Sequence, residues 1–220
     1  ALKQGSTAVH DAADGSHGTN VCYEFPLKPQ GDGAFEAAVK AAGDDVVVVK
    51  RRFINQRIIA GYMEPRAVVA SPMGMSNEMT IWSATQIPHI LRVLLALVTG
   101  LPENSLRVIA PDVGGGFGGK TTIFMEPLAL ALSKKAGGRP VKLVMTRSEV
   151  LRATGPTASA SMDVKLGMKR DGTITAGQVF FRMQGGAFVG MSPIGEALPC
   201  AFACYDIPAL KHEGVEVIAN

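Results

Sequence analysis

The part of this 220-residue sequence whose residue types most plainly call for a ligand is a glycine cluster. Residues 108–121 read V-I-A-P-D-V-G-G-G-F-G-G-K-T, with five glycines in the six positions 114–119 and only Phe117 between them. Backbone without Cβ atoms lets a ligand come close, and its amides can converge on an anion near the positive end of a helix. Gly114, Gly119, Lys120 and Thr121 spell the phosphate-loop pattern G-x-x-x-x-G-K-[ST], which would cradle a nucleotide. Gly114, Gly116 and Gly119 also meet the dinucleotide pattern G-x-G-x-x-G, which a segment this rich in glycine satisfies easily. A plain structural turn is the third reading, although it would not require the conformational entropy that so many glycines lose on ordering.

Such a loop needs a strand to deliver it and a helix to receive the chain. The apolar run 106–110 predicts the strand, and 124–135 predicts the helix, with Lys134 and Lys135 at its C-terminal end, where cations suit the dipole. Upstream, 34–42 reads as a short helix, 46–53 as a strand that 57–60 extends, 67–70 and 78–84 as strands, and 71–77 as a turn. Pro88 suits a first helical turn, Thr85 suits a cap, and Gly100 and Pro102 stop the helix. Ile87, Ile90, Leu91, Leu94, Leu95 and Val98 give that helix a broad apolar face, so it is expected to be largely buried. Downstream, 141–145 reads as a strand and 147–153 as a short helix. Asp171-Gly172 joins the extended runs 158–169 and 173–183 and signals a hairpin. A loop rich in Gly, Pro and Ser follows, then an extended run over 214–219. The fold class expected is α+β: mixed sheets with packed helices and a C-terminal antiparallel hairpin. Residues 1–33 form an irregular lead-in, 34–155 an α/β part that carries the motifs, and 156–220 a β-rich part.

Composition removes several function classes. A net charge of +3 is too small to argue for nucleic acid or an anionic membrane surface. No apolar run reaches the roughly 18 residues of a membrane span. Cys22, Cys200 and Cys204 are odd in number and widely spaced, which argues against a disulfide framework and fits a reducing compartment. Cys200-x-x-x-Cys204 is too little for a metal site by itself, and no cysteine cluster here suits an iron–sulfur centre.

The nucleotide readings make demands beyond the loop. Phosphoryl transfer needs an acidic Mg2+ ligand at the end of a second buried strand, but the strand at 141–145 runs into Thr146-Arg147. A dinucleotide fold needs repeated βαβ units, and an antiparallel hairpin stands in their place.

A wider set of residues points elsewhere. Ser83-Ala84-Thr85-Gln86-Ile87-Pro88-His89, followed by Leu106-Arg107-Val108-Ile109-Ala110-Pro111-Asp112-Val113 and the glycine loop to Lys120, resembles the molybdenum hydroxylases of the xanthine oxidase family. The likeness is greatest to the carbon monoxide dehydrogenase-like large subunits of that family. Met63-Glu64-Pro65-Arg66, Thr146-Arg147-Ser148-Glu149 and Gly186-Ala187-Phe188 support it, and it extends over about 20–220.

The resemblance implies a molybdopterin-binding domain of the xanthine oxidase type, with Gln86 donating a hydrogen bond to an oxo ligand of molybdenum. A neutral amide can do so without adding charge to an anionic centre. It implies that Phe117 and Gly118 lie beside the metal and that the amides of Gly115, Gly116, Phe117 and Gly118 face metal or pterin oxygens, in the manner of an oxyanion hole. No residue here ligates the metal directly. The cofactor expected is molybdopterin in its cytosine dinucleotide form with Mo. FAD and 2Fe-2S clusters are expected on partner chains, a flavin subunit and an iron–sulfur subunit, in a cytoplasmic complex. Purine-oxidising members have a glutamate where Thr121 and Thr122 stand, which speaks against a purine substrate. The resemblance places the catalytic glutamate and any copper-ligating cysteine in the remainder of a large subunit, so this chain is expected to be one part of such a subunit and inactive alone. Glu64, Glu126 and Glu149 are the carboxylates to weigh as bases, and helix-start or loop roles are the simpler reading for each. A nucleotide-binding NTPase domain and a non-catalytic structural module are the alternatives.

Overall fold

The computed structural model describes residues 2–3, 6–9, 19–27, 32–73, 78–187 and 193–219. Phe188, part of one family-like motif, lies outside them. The chain divides into two units, 58–157 and the combination of 1–57 with 158–220.

The first unit carries the glycine loop. Its four-stranded sheet has the order β5-β4-β3-β6, from β3 (Ala67–Pro72), β4 (Met79–Ser83), β5 (Leu106–Ile109) and β6 (Val141–Val144). β3 runs antiparallel to β4 and β6, while β5 is parallel to β4. A parallel neighbour needs a crossover, and helix α2 (Pro88–Thr99) supplies it. Helix α3 (Glu126–Lys135) follows the loop. Val68, Ala70, Met79, Ile81, Leu91, Leu95, Leu106, Ala129 and Leu130 form the core. Val68 and Ala70 alternate along β3, and Leu91 and Leu95 are one helical turn apart on α2, so each element offers one stripe to this core.

Helix α2 departs from expectation. Only Leu91 and Leu95 are buried, whereas Ile90, Val93, Leu97 and Val98 are exposed. The sheet covers one side of the helix, and apolar content alone does not bury the other. Ile87 is the N-cap residue, without side-chain capping; Thr85 Oγ1 instead accepts from the Ile87 amide (3.2 Å). Helix α4 (Arg147–Ala153) opens on a capping box, in which Thr146 Oγ1 accepts from Glu149 N and Glu149 Oε2 accepts from Thr146 N.

The second unit is a five-stranded sheet of order β1-β9-β8-β7-β2. β7 (Ser159–Lys169) and β8 (Ile174–Gly186) form the expected hairpin, turning at Gly172 with φ 95°. β9 (Ala209–Ile218) lies parallel to β8, so the intervening segment must cross over. It contains α5 (Ile194–Cys200), where the sequence reads as a loop; the helix is short and holds Pro199. Ile194 and Leu198 pack beneath Val179, Phe181 and Met183. β1 (Val21–Leu27) corrects the reading of 1–33 as wholly irregular. Its apolar alternation is poor and it contains Pro26, which an edge strand tolerates. Helix α1 (Ala34–Ala41) and strand β2 (Val46–Asn55) belong with this sheet and not with the motif-bearing segment that follows them. β2 ends at Asn55, short of the 57–60 extension, and its side chains are largely exposed; it lies at the sheet edge, while α1 packs on β8 and β9 and α5 on β1, β8 and β9.

Asp163 on β7 accepts from Arg52 Nε (2.6 Å) and from Arg182. The hydrogen bonds from Arg52 and then Arg182 hold its carboxyl well below the usual range, at about 2. Its contribution to stability is complete above the unfolded value of 3.8 and is lost as pH falls through about 2. Because the groups are partly exposed, Asp163→Asn should remove no more than about 1 kcal/mol of this acid-sensitive stability. Urea midpoints followed down that pH range should decline less steeply in the variant than in the parent.

No helix among the described residues is long and apolar enough to cross a membrane. Cys200 and Cys204 are exposed, and Cys22 Sγ approaches the Glu216 carbonyl at 3.4 Å.

Candidate functional site

Three stretches distant in sequence meet at the glycine loop: 62–66 ahead of β3, 83–87 between β4 and α2, and 113–122 after β5. Gln86 is bound to the loop by two hydrogen bonds with one residue. Its backbone N–H donates to the Lys120 carbonyl (3.0 Å), and its Oε1 accepts from the Lys120 amide (3.0 Å). With Oε1 engaged, the NH2 end of the side chain is the end left to donate outward. Gln86 therefore does not cap α2. Gly116 is required at the same point, because a Cβ there would lie 2.5 Å from Gln86 Cδ.

The loop amides divide into two groups. Gly114 N–H donates to Glu64 Oε2 (2.8 Å), Gly115 N–H to the Val113 carbonyl (2.9 Å) and Gly119 N–H to the Gly116 carbonyl (2.8 Å). Among the described residues, the amides of Gly116, Phe117 and Gly118 have no acceptor. They are three of the four amides expected to face a ligand; that of Gly115 turns inward to Val113. Phe117 stands out further. It adopts φ 52°, a left-handed conformation costing a bulky L-residue about 1–2 kcal/mol, and its side chain is 70% exposed. A strained backbone carrying an exposed aromatic ring, next to unclaimed amides, marks a ligand site better than a packing turn.

Lys120 decides against the phosphate-loop reading. Its side chain is wholly buried, and Nζ pairs with Glu64 Oε2 at 2.6 Å over the Tyr62 ring. A lysine held beneath the loop cannot reach a phosphate above it. Thr121 Oγ1 donates to the Gly118 carbonyl (2.8 Å), and α3 does not begin until Glu126, so neither the hydroxyl nor the helix dipole is placed for a nucleotide. Burial pushes the Glu64 carboxyl up, but the hydrogen bonds from Lys120 and Gly114 and the ammonium charge outweigh it, and the group titrates below the usual carboxylate range.

The Met63-Glu64-Pro65-Arg66 motif forms the underside of the loop. Buried Arg66 donates to the carbonyls of Gly119 and Thr122 and stacks on the Phe124 ring (4.0 Å). Arg147 donates to the Met63 carbonyl (2.6 Å). The sequence offers these residues as family-like matches but not this role, since nothing local joins Glu64 to Lys120. The other weighed carboxylates are also engaged. Buried Glu126 accepts from Ser83 Oγ (2.8 Å) and the Phe124 amide (2.8 Å), and Glu149 completes the α4 capping box.

The chain is similar to several known proteins. The carbon monoxide dehydrogenase large chain of Afipia carboxidovorans is 32% identical over 82% of this chain and 22% of its own length. A xanthine dehydrogenase molybdenum-binding subunit of Escherichia coli is 39% identical over 51% of this chain and 15% of its own. The aldehyde oxidoreductase of Desulfovibrio gigas superposes with a TM-score of 0.70 at 29% identity, covering 96% of this chain and 23% of that one. The chain thus spans less than a quarter of the length of these relatives. The model of the molybdopterin cofactor-binding domain matches residues 14–220, and the chain belongs to that family.

Proposed function

We propose that this chain contributes one wall of the molybdopterin pocket of a molybdenum hydroxylase that oxidises a small substrate with water as the oxygen source. The observation that carries the reading is the pairing of Gln86 Oε1 with the Lys120 amide, which leaves the Gln86 NH2 as a donor next to the unclaimed amides of Gly116, Phe117 and Gly118. These groups fit an anionic, oxygen-rich cofactor: neutral donors, pre-arranged on a strained loop, with the Glu64 carboxylate beneath them neutralised by Lys120. When bound, the molybdenum centre supplies the two-electron oxidation.

The residues of this chain bind and orient. Gln86 donates from Nε2 to an oxygen of the centre, the backbone of Gly116–Gly118 holds cofactor oxygens, and Gly115 shapes the turn that presents them. Phe117 closes one side of the space against water. Glu64, Glu126 and Glu149 are engaged in structural hydrogen bonds, so the base that activates water belongs to the rest of the large subunit. The cofactor is the cytosine dinucleotide form of molybdopterin. Partner chains carry FAD and 2Fe-2S clusters in a cytoplasmic complex. Thr121 and Thr122, in place of a carboxylate beside the loop, favour a substrate other than a purine.

Elemental analysis of the complex purified from its natural source tests this. Near-stoichiometric molybdenum is expected. A metal-free complex in which this chain binds Mg-ATP would overturn the proposal.

A further inference from the structure

We propose that the Glu64–Lys120 ion pair is the positioning device that sets which end of the Gln86 amide faces the cofactor. This rests on the reading of Gln86 given above. Lys120 is wholly buried, and a buried ammonium is strongly unfavourable unless paired. Its side chain can therefore lie under the loop only where Glu64 Oε2 meets it, at 2.6 Å. The same residue's backbone grips Gln86 at both its N–H and its Oε1, 3.0 Å each. The position of Lys120 is thus passed directly to the amide.

Glu64 also closes the loop at its other end. Oε2 accepts from the Gly114 amide (2.8 Å), and the Glu64 N–H donates to the Gly114 carbonyl (3.2 Å). One carboxylate holds both the entry and the exit of the glycine cluster. Loss of its charge leaves Lys120 without a counter-ion, and the ammonium gains by moving toward water and drawing its backbone with it. The Gln86 Oε1 then loses its donor, and the amide can turn its oxygen toward an anionic centre, which it would repel. Lys120 and Glu64 touch no reacting atom in this scheme. They act through Gln86.

The test compares Glu64→Gln, Gln86→Ala and the double variant in the intact complex. Amide hydrogen exchange across 114–121 reads the positioning without any cofactor. Glu64→Gln should speed exchange of the Lys120 amide by about tenfold or more, as far as Gln86→Ala does. The second readout is the Mo(V) electron paramagnetic resonance signal after dithionite reduction. Glu64→Gln should shift it as Gln86→Ala does, and the double variant should match Gln86→Ala alone, because effects that act through one group do not add. Unchanged Lys120 exchange in Glu64→Gln, or a double variant with additive effects, overturns the inference. A signal altered by Gln86→Ala and untouched by Glu64→Gln sinks the positioning role and leaves the cofactor reading standing. A signal altered by neither sinks the Gln86 assignment itself. Should Glu64→Gln fail to accumulate, Glu64→Asp keeps the charge on a shorter arm and should give an intermediate increase in exchange; parental exchange in that variant counts against the proposal.

Discussion

Gly116→Ala is expected to lower turnover of the intact complex by about 10–100-fold, the range seen when an outer-shell partner of a metal centre is lost, while leaving the fold nearly as stable as the parent. The new methyl would lie 2.5 Å from Gln86 Cδ, so one of the two must move. The obstacle is the end of a flexible side chain whose residue is itself exposed, and Gln86 can swing aside at small cost. Swinging aside removes Oε1 from the Lys120 amide and takes the NH2 donor away from the pocket. Gly116→Ala should therefore behave like Gln86→Ala, with assembly and molybdenum content near the parent level. Steady-state rates and metal content on the same preparations check this. Full turnover in Gly116→Ala would mean that the amide's position does not matter to the reaction.

Gly119→Ala, only three residues further on, should fail in the opposite way. Its methyl would lie 2.6 Å from the Tyr62 ring, 2.9 Å from Ala60 Cβ and 3.1 Å from the Gly116 carbonyl. Tyr62 is 1% exposed and has nowhere to go. Overpacking of this kind costs about 1–3 kcal/mol, which for a chain of this size lowers Tm by roughly 2–4 °C per kcal/mol. Differential scanning calorimetry should show the fall in Tm, and molybdenum content should fall with it, since the Lys120 ammonium rides 4.9 Å above the same ring. A Gly119→Ala protein with parental Tm would refute the close packing of loop on Tyr62. The two substitutions add the same methyl group to the same loop, and what differs is the stiffness of what lies opposite.

Much of the local structure was legible because its signals are local. Asp171-Gly172 marks a tight turn, and the turn is there. Pro88 starts α2 and Gly100 ends it with φ 68°, while Thr146-x-x-Glu149, singled out in the sequence only as a family-like match, is a capping box in the structure. Helix α5 was hidden because it is short and contains Pro199; the reason it exists is that β9 lies parallel to β8, a pairing no local pattern announces. β1 was hidden because Pro26 argues against a strand until its edge position is known.

For the site, the sequence by itself determined the glycine cluster, the amide of Gln86 and their order along the chain, and it thereby determined the family. It also carried a false signal, since Gly114, Gly119, Lys120 and Thr121 spell a nucleotide loop with correct spacing. The missing acidic strand end after 141–145 already speaks against that signal, but only the tertiary structure shows where the Lys120 side chain goes, because spacing says where a residue is and not which way it points. Its direction is set by Glu64, 56 residues earlier, through burial that makes an unpaired ammonium untenable. The same long-range contact turns the Gln86 oxygen inward and its NH2 outward, and the close approach that allows it depends on Gly116 lacking a Cβ.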